Sequence, residues 1–300
     1  LSAGRKTDHD SSGLSCKRRI FSLKIAPALE DFMPILHAIP YPDIDPVFFR
    51  LGPLQFRWYG LMYLIGLTLA YFIILSRARA KRIPLDRDQV YDMIVYAAIG
   101  VFVGGRLGYV LFYNLSYYLE NPLKIFAVWE GGMSFHGGLI GTIIALIVFA
   151  RRKGIGIYTI ADLAAGVTPV GLGLGRIGNF INGELFGRPT DVDWCMIFPA
   201  GGPLCRHPSQ LYEAALEGLL LFVLLWLISK TAHPPGTVFW GFLAGYGVCR
   251  FIVEYFREPD MQIGFVFGSF SMGQMLSLPM IVVGLAMLTL GYQRRGPARL

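Results

Sequence analysis

The sequence predicts an all-α fold: a polytopic inner-membrane helical bundle of about seven transmembrane helices with an external loop region. Three observations carry that prediction. Of 300 residues, 54% are hydrophobic and only 16% charged, and mean hydropathy is positive, which is more apolar than a soluble domain. Several apolar runs reach the about 20 residues needed to cross a roughly 30 Å hydrocarbon core. Lys and Arg gather at the ends of these runs, as they do in cytoplasmic loops. That clustering explains the formal charge of +7 without a nucleic acid, so the expected surroundings are a lipid bilayer. A signal peptide is excluded because the first long apolar run lies deep in the chain and lacks a small-residue cleavage site.

Residues 1–33 hold Arg5, Lys6, Lys17, Arg18, Arg19 and Lys24 among polar and small residues with no sustained apolar face. The expectation there is disorder or an over-long start assignment, outside the fold. Residues 34–57 are rich in proline and aromatics, which suits an extended segment or a short helix lying at the membrane interface. The first span is expected over 58–76, ending at Arg77, Arg79, Lys81 and Arg82. The second, 91–113, carries Gly100, Gly104 and Gly108 at the four-residue spacing of close helix packing, with Arg106 among them. The third, 133–150, stops at Arg151, Arg152 and Lys153. The fourth, 158–175, runs into the polar stretch that begins at Arg176. After the long loop 177–208 come spans at 211–229, 238–255 and 272–292, the last followed by Arg294 and Arg295. With the clusters at 77–82, 151–153 and 294–299 on the cytoplasmic side, the amino end lies outside, the 177–208 loop is external and the 294–300 tail is cytoplasmic.

Of four cysteines, Cys195 and Cys205 share the external loop, where a disulfide is permitted; closing about 11 residues would contribute roughly 2 to 3 kcal/mol. The sequence leaves that bond open. Cys249 reads as a packing residue, and no Cys or His spacing resembles a zinc site. The glycines at 171, 173 and 175 lack the strand and βαβ setting of a nucleotide fingerprint; they suit close helix approach or a lipid headgroup reaching the backbone.

Ionisable groups at membrane depth are costly and mark function by default. Those near the external ends of spans are Tyr59, Arg106, His136, Arg176, Asn179 and Glu184, joined by Tyr246, Arg250, Glu254 and Arg257 on the sixth span. Arg250 and Glu254 stand four apart on one helix face, so mutual neutralisation is the plain alternative for them. Asp162, Glu213 and Glu217 are further acids inside apolar runs, and pairing with an arginine is their plain explanation too.

Six segments carry a resemblance: Trp58-Tyr-Gly-Leu-Met-Tyr, Gly104-Gly-Arg-Leu-Gly-Tyr, Gly131-Gly-Met-Ser-Phe-His-Gly-Gly-Leu-Ile-Gly, Gly175-Arg-Ile-Gly-Asn-Phe-Ile-Asn-Gly-Glu, Arg206-His-Pro-Ser-Gln-Leu-Tyr-Glu and Arg250-Phe-Ile-Val-Glu-Tyr-Phe-Arg. Together they resemble the bacterial prolipoprotein diacylglyceryl transferases, over a domain taken as 34–293. The resemblance implies an inner-membrane enzyme that moves the diacylglyceryl group of phosphatidylglycerol to the lipobox cysteine thiol of a preprolipoprotein, releasing glycerol phosphate, with no metal or soluble cofactor. A thiol with a pKa near 8.5 must become thiolate to attack. His136 is the expected base, while Arg176 and Arg250 would hold the phosphodiester through forked hydrogen bonds. Glu184 and Glu254 would orient those guanidinium groups. Tyr59 and Asn179 would bind the headgroup, with Arg106, Tyr246 and Arg257 nearby, and Gly187 would allow backbone approach. The competing class is an anionic lipid or solute transporter with Arg176 and Arg250 along its pathway.

Overall fold

The computed structural model describes residues 39–42, 44–52, 54–258, 265–267 and 270–293. The leader 1–33, the exit residues Pro259 and Asp260 and the basic tail 294–300 lie outside the described residues. Six helices are long and apolar enough to cross a membrane: Trp58–Ala80, Arg87–Tyr113, Phe135–Lys153, Ile157–Ile181, Ser209–Lys230 and Met272–Gln293. A shorter apolar helix, Thr237–Val253, completes the seven expected spans. Its 17 residues give about 26 Å of helix, slightly less than a roughly 30 Å hydrocarbon core.

Local chemistry sets the helix ends. α1 (Trp58–Ala80) runs past Ser76, so Arg77 and Arg79 sit in its last turn, where cations favour the negative end of the helix dipole. α2 (Arg87–Tyr113) opens with a capping box in which Asp86 accepts from the Gln89 amide and Gln89 answers to the Asp86 amide. A short α3 (Leu115–Glu120) follows. Ser134 caps α4 (Phe135–Lys153), which ends on Gly154 in the left-handed region at φ 66°. The fourth span is broken into α5 (Ile157–Ala165) and α6 (Thr168–Ile181). The break precedes Pro169, whose ring cannot donate to a continuous helix. The fifth begins as α7 (Ser209–Glu213), widens into a π-helical stretch over Ala214–Leu220 and continues as α8 (Leu221–Lys230). The last two spans are α9 (Thr237–Val253) and α10 (Met272–Gln293).

The interfacial segment takes the extended alternative: β1 (Val47–Leu51) and β2 (Leu54–Arg57) pair as an antiparallel hairpin. Phe49, Leu51, Leu54 and Phe56 are exposed on it, as suits the membrane–water boundary. A second small hairpin, β3 (Phe265–Phe267) with β4 (Phe270–Ser271), precedes α10 and has no counterpart in the sequence reading.

The glycine spacing in α2 does what it predicts. A Cβ on Gly100 would meet the Gly141 carbonyl oxygen at 2.6 Å, and one on Gly108 would meet the Gly137 Cα at 2.7 Å, while Gly104 faces Gly137 and Gly141. α2 and α4 therefore approach backbone to backbone. At the end of the bundle that bears the 77–82 and 151–153 clusters, Ile74, Leu75, Ala78, Val90, Met93, Phe149, Ala150, Ile160 and Leu163 form the main apolar core. The other end carries the polar groups.

Gly104→Ala is therefore expected to destabilise the protein by about 1 to 3 kcal/mol through overpacking. Gly291→Ala, at a position where a Cβ meets nothing within 4 Å, is expected to be neutral or slightly stabilising. Thermal unfolding in detergent compares the two.

Candidate active site

At the polar end the organising group is Glu213, the last residue of α7, whose side chain is fully buried. A carboxylate there needs cations, and three guanidinium groups converge on it. Arg176 of α6 places Nε 2.8 Å from Oε2, Arg250 of α9 places Nη1 3.1 Å from the same oxygen, and Arg257 just beyond α9 donates to Oε1 at 2.7 Å. Two more acids close the set. Glu254 lies 2.9 Å from Arg250 and 3.6 Å from Arg257. Glu217, one turn along from Glu213 and fully buried, lies 3.8 Å from Arg250. Its two oxygens make no hydrogen bond among the described residues.

Three guanidinium groups thus face three glutamate side chains inside the bundle. Not every donor among them is used. Arg250 spends both Nη atoms on glutamates. Arg176 commits its Nε to Glu213, reaches the Asn179 Oδ1 from Nη1 only at 3.5 Å, and has no acceptor at Nη2 among the described residues. Its planar fork has hydrogen bonds left to give, as does Arg257, whose Nε has no partner among the described residues; of the two, Arg176 is the more exposed, at 19% against 11%.

A second chain of hydrogen bonds holds the turn after α6. Asn179, buried, donates to Glu184 Oε1 at 2.8 Å, and Asn182 donates to the same atom at 3.2 Å. Gln210 donates to the Glu184 carbonyl and Ser209 to that of Leu185. Tyr59, at the start of α1, packs its ring against Gly178 and shares a hydrogen bond with Tyr63; Glu184 and Arg176 are its electrostatic neighbours. Tyr246 stacks on Phe242 and has Glu217 and Arg250 as electrostatic neighbours. Gly173 meets Gly218 of the π-helical stretch, where a Cβ would lie 3.1 Å from the Gly218 Cα. Positions 171 and 175 have nothing within 4 Å of a Cβ.

The 177–208 loop is knitted over this end. Cys195 and Cys205 form a disulfide with Cα atoms 5.5 Å apart. Isolated bridges join Pro189 and Met196 to Arg206, and Gly187 to Arg257. Arg188 donates to the carbonyls of Arg257 and Glu254, and Arg206 pairs with Glu258 at 2.6 Å. His207 sits 3.2 Å from the Tyr212 hydroxyl and edge-on to Phe256, and burial holds its imidazole below the ordinary value.

Several expected roles look different once these contacts are seen. Gly187 does allow backbone approach, but to the Phe256 carbonyl and to His207, which a Cβ would strike. Glu184 accepts from Asn179 rather than from a guanidinium, and Asn179 gives that bond one of the two N–H donors of its amide. Arg106 lies buried in α2 and donates to the carbonyls of Lys124, Ile125, Ala127, Gly131 and Gly132. Its five donors meet five acceptors, so it fixes the 121–134 loop and leaves no donor for a substrate. His136, in the first turn of α4, is exposed with its ring against Phe135; nothing joins it to the arginine cluster among the described residues. Glu213, Glu217, Gln210, Arg188 and His207 were given no site role by the sequence. The available signal was the pair of acids four apart in an apolar run, which at membrane depth demands cations.

A family model described as prolipoprotein diacylglyceryl transferase matches residues 46–290. Relatives named phosphatidylglycerol–prolipoprotein diacylglyceryl transferase match over most of the chain. The Geobacter sulfurreducens protein is 60% identical over 258 residues, 86% of this chain and 99% of its own. That of Vibrio vulnificus is 54% identical over 257 residues, 85% of this chain and 94% of its own. That of Pseudoalteromonas translucida is 53% identical over 257 residues, 86% and 96% of the two chains.

Removing the shared anion leaves three cations without their common partner. Glu213→Gln is expected to destabilise the protein by about 3 to 5 kcal/mol. Arg50→Gln, which breaks a pair with Asp45 about 60% exposed on both sides, is expected to cost under about 1 kcal/mol. Unfolding midpoints of the two variants test the contrast.

Proposed function

The chain belongs to the prolipoprotein diacylglyceryl transferase family, and from that premise we propose that this transferase moves the diacylglyceryl group of phosphatidylglycerol onto the lipobox cysteine of a preprolipoprotein. The observation that carries the reading is the glutamate-anchored arginine cluster with the fork of Arg176 unspent. The cysteine thiolate attacks the glycerol carbon that bears the phosphate. A carbon–sulfur bond forms, the carbon–oxygen bond breaks, and glycerol phosphate leaves with one more negative charge than the diester carried. Preorganised donors aimed at that developing charge are the largest expected contribution to rate. Arg176 supplies them directly, Arg250 and Arg257 add positive potential, and Glu213 and Glu254 hold all three in place. Tyr59 and Tyr246 border this space, whereas Asn179, Glu184 and Gly187 act by shaping the turn after α6.

A base must take the thiol proton. His207 is engaged with Tyr212 and packed on Phe256. His136 is the exposed imidazole without a hydrogen-bond partner among the described residues. Both lie at the same end of the bundle as Arg176, because α4 begins and α6 ends there. His136 remains the proposed base. An anion pathway along Arg176 and Arg250 gains no support from two arginines tied to a fully buried glutamate.

The 34–293 domain lies in the inner membrane of a bacterium, with the amino end and the 177–208 loop external and the 294–300 tail cytoplasmic. This orientation rests on the positive-inside rule applied to the 77–82 and 151–153 clusters. No metal or soluble cofactor enters the scheme.

The test is an assay of purified protein with phosphatidylglycerol and a lipobox peptide, reading thioether product and glycerol phosphate. A bound lipid without thioether product would count against the enzyme. Arg176→Lys keeps charge but loses the planar fork, and is expected to lower the rate about a hundredfold, roughly 3 kcal/mol. His136→Gln is expected to keep lipid binding and lose turnover, with part of the rate returning as pH rises toward the thiol pKa near 8.5. Loss of lipid binding instead would assign His136 to the headgroup site. A cysteine placed at position 190 is expected to label in intact cells; labelling only after permeabilisation would reverse the orientation.

A further inference from the structure

The opposite end of the bundle holds a second cationic site. A cavity of about 200 Å³ there is lined by Arg77, Lys81, Thr159, Asp162, His233 and Val238, among others. Arg77 is 9% exposed, and its Nε, Nη1 and Nη2 have no hydrogen-bond partner among the described residues. Its guanidinium occupies the space that a Cβ at Gly166 would fill and sits 5.9 Å from the Phe222 ring. An unpaired buried guanidinium is costly.

The acid nearby does not answer it. Asp162 accepts from the Gly236 amide at 2.8 Å and from the Phe239 amide at 2.8 Å, so each oxygen holds the start of α9 and neither bonds Arg77. Lys81 stands exposed at the mouth with Nζ 2.6 Å from His233 Nε2, and His233 Nδ1 lies 3.0 Å from the Pro234 carbonyl. These contacts fit an imidazole that donates from Nδ1 and accepts from Lys81. Tyr59 and Arg77 are 18 positions apart on α1, about 27 Å of helix, which separates this cavity from the arginine–glutamate cluster.

We propose that this cavity binds a phosphate-bearing anion between Arg77 and Lys81. The guanidinium nitrogens are closed off from solvent, so binding requires Arg77 to turn from Gly166 toward the cavity, where its unpartnered donors gain a forked acceptor. At roughly 30 Å³ per water, the cavity has room for a phosphate group with a few waters. The anion is either free inorganic phosphate or the headgroup of an anionic lipid in the leaflet on this side. Either source neutralises Arg77 and ties α1 to the turn before α9.

The experiment follows the unfolding midpoint of the full-length protein in detergent against inorganic phosphate at constant ionic strength, and counts retained phosphatidylglycerol by native mass spectrometry. Wild type is expected to rise by about 3 °C at tenfold saturation. Arg77→Met is expected to lose that response while matching or exceeding wild type without phosphate, because an unpaired charge is gone. Lys81→Gln, on the exposed side, is expected to weaken the response about tenfold without threatening folding. Arg176→Met is expected to keep it. Loss of one retained lipid in both Arg77→Met and Lys81→Gln would identify the lipid headgroup; an unchanged lipid count with a lost phosphate response would identify free phosphate. No phosphate response together with an unchanged lipid count would overturn the proposal, as would a response that survives Lys81→Gln undiminished but vanishes in Arg176→Met.

Discussion

The structure depends on one electrostatic constraint: a glutamate with no solvent exposure must be neutralised where water cannot do it. At an effective dielectric constant of about 20, two charges 4 Å apart still interact by about 4 kcal/mol, and Glu213 has three guanidinium groups at that range or closer. Those groups come from α6, α9 and the residues just after α9, so the charge interaction is also a joint between three elements. Glu254 and Glu217 complete the set of acids around Arg250. The result is a set of arginines held rigidly by carboxylates with hydrogen-bonding capacity left over on Arg176 and Arg257, which is the preorganisation that phosphate chemistry requires.

The remainder of the bundle makes that joint possible. The π-helical stretch over Ala214–Leu220 lets Gly218 meet Gly173, bringing Glu213 and Glu217 against the helix that carries Arg176. Gly187 threads between the Phe256 carbonyl and His207, and Arg188 fastens the 177–208 loop to the end of α9. On the other flank Arg106 performs a similar task for the 121–134 loop by collecting five carbonyls. Arginine therefore appears in two physical roles at one end of the molecule. Where its partners are backbone carbonyls it fixes a loop, and where its partners are carboxylates it presents residual donors.

That difference marks what the sequence can and cannot disclose. The spans were legible because hydrophobic length and basic flanks are one-dimensional signals, and the glycine seam between α2 and α4 because its spacing is one too. Arg176, Arg250, Glu254 and Arg257 were legible as ionisable groups at membrane depth. Arg106 satisfied the same criterion, yet its partners are carbonyls 18 to 26 residues away, and no local pattern reveals them. Glu213 was visible as a membrane-segment acid, but its place at the centre of the cluster depends on how α6, α7 and α9 meet. The break between α5 and α6 and the widened turn after Glu213 were missed because both leave the apolar run intact. Of the alternatives left open in the 34–57 segment and in the 177–208 loop, the hairpin of β1 and β2 and the Cys195–Cys205 bond are the ones that form.

In the proposed chemistry Glu213 holds the arginines while the free edge of Arg176 meets the phosphate. An experimental structure with phosphatidylglycerol bound tests it most directly. Phosphate oxygens are expected within about 3 Å of the Arg176 Nη atoms, with Glu213 still shared among Arg176, Arg250 and Arg257. A phosphate seated away from Arg176, or one that displaces Glu213 from the three guanidinium groups, would contradict it.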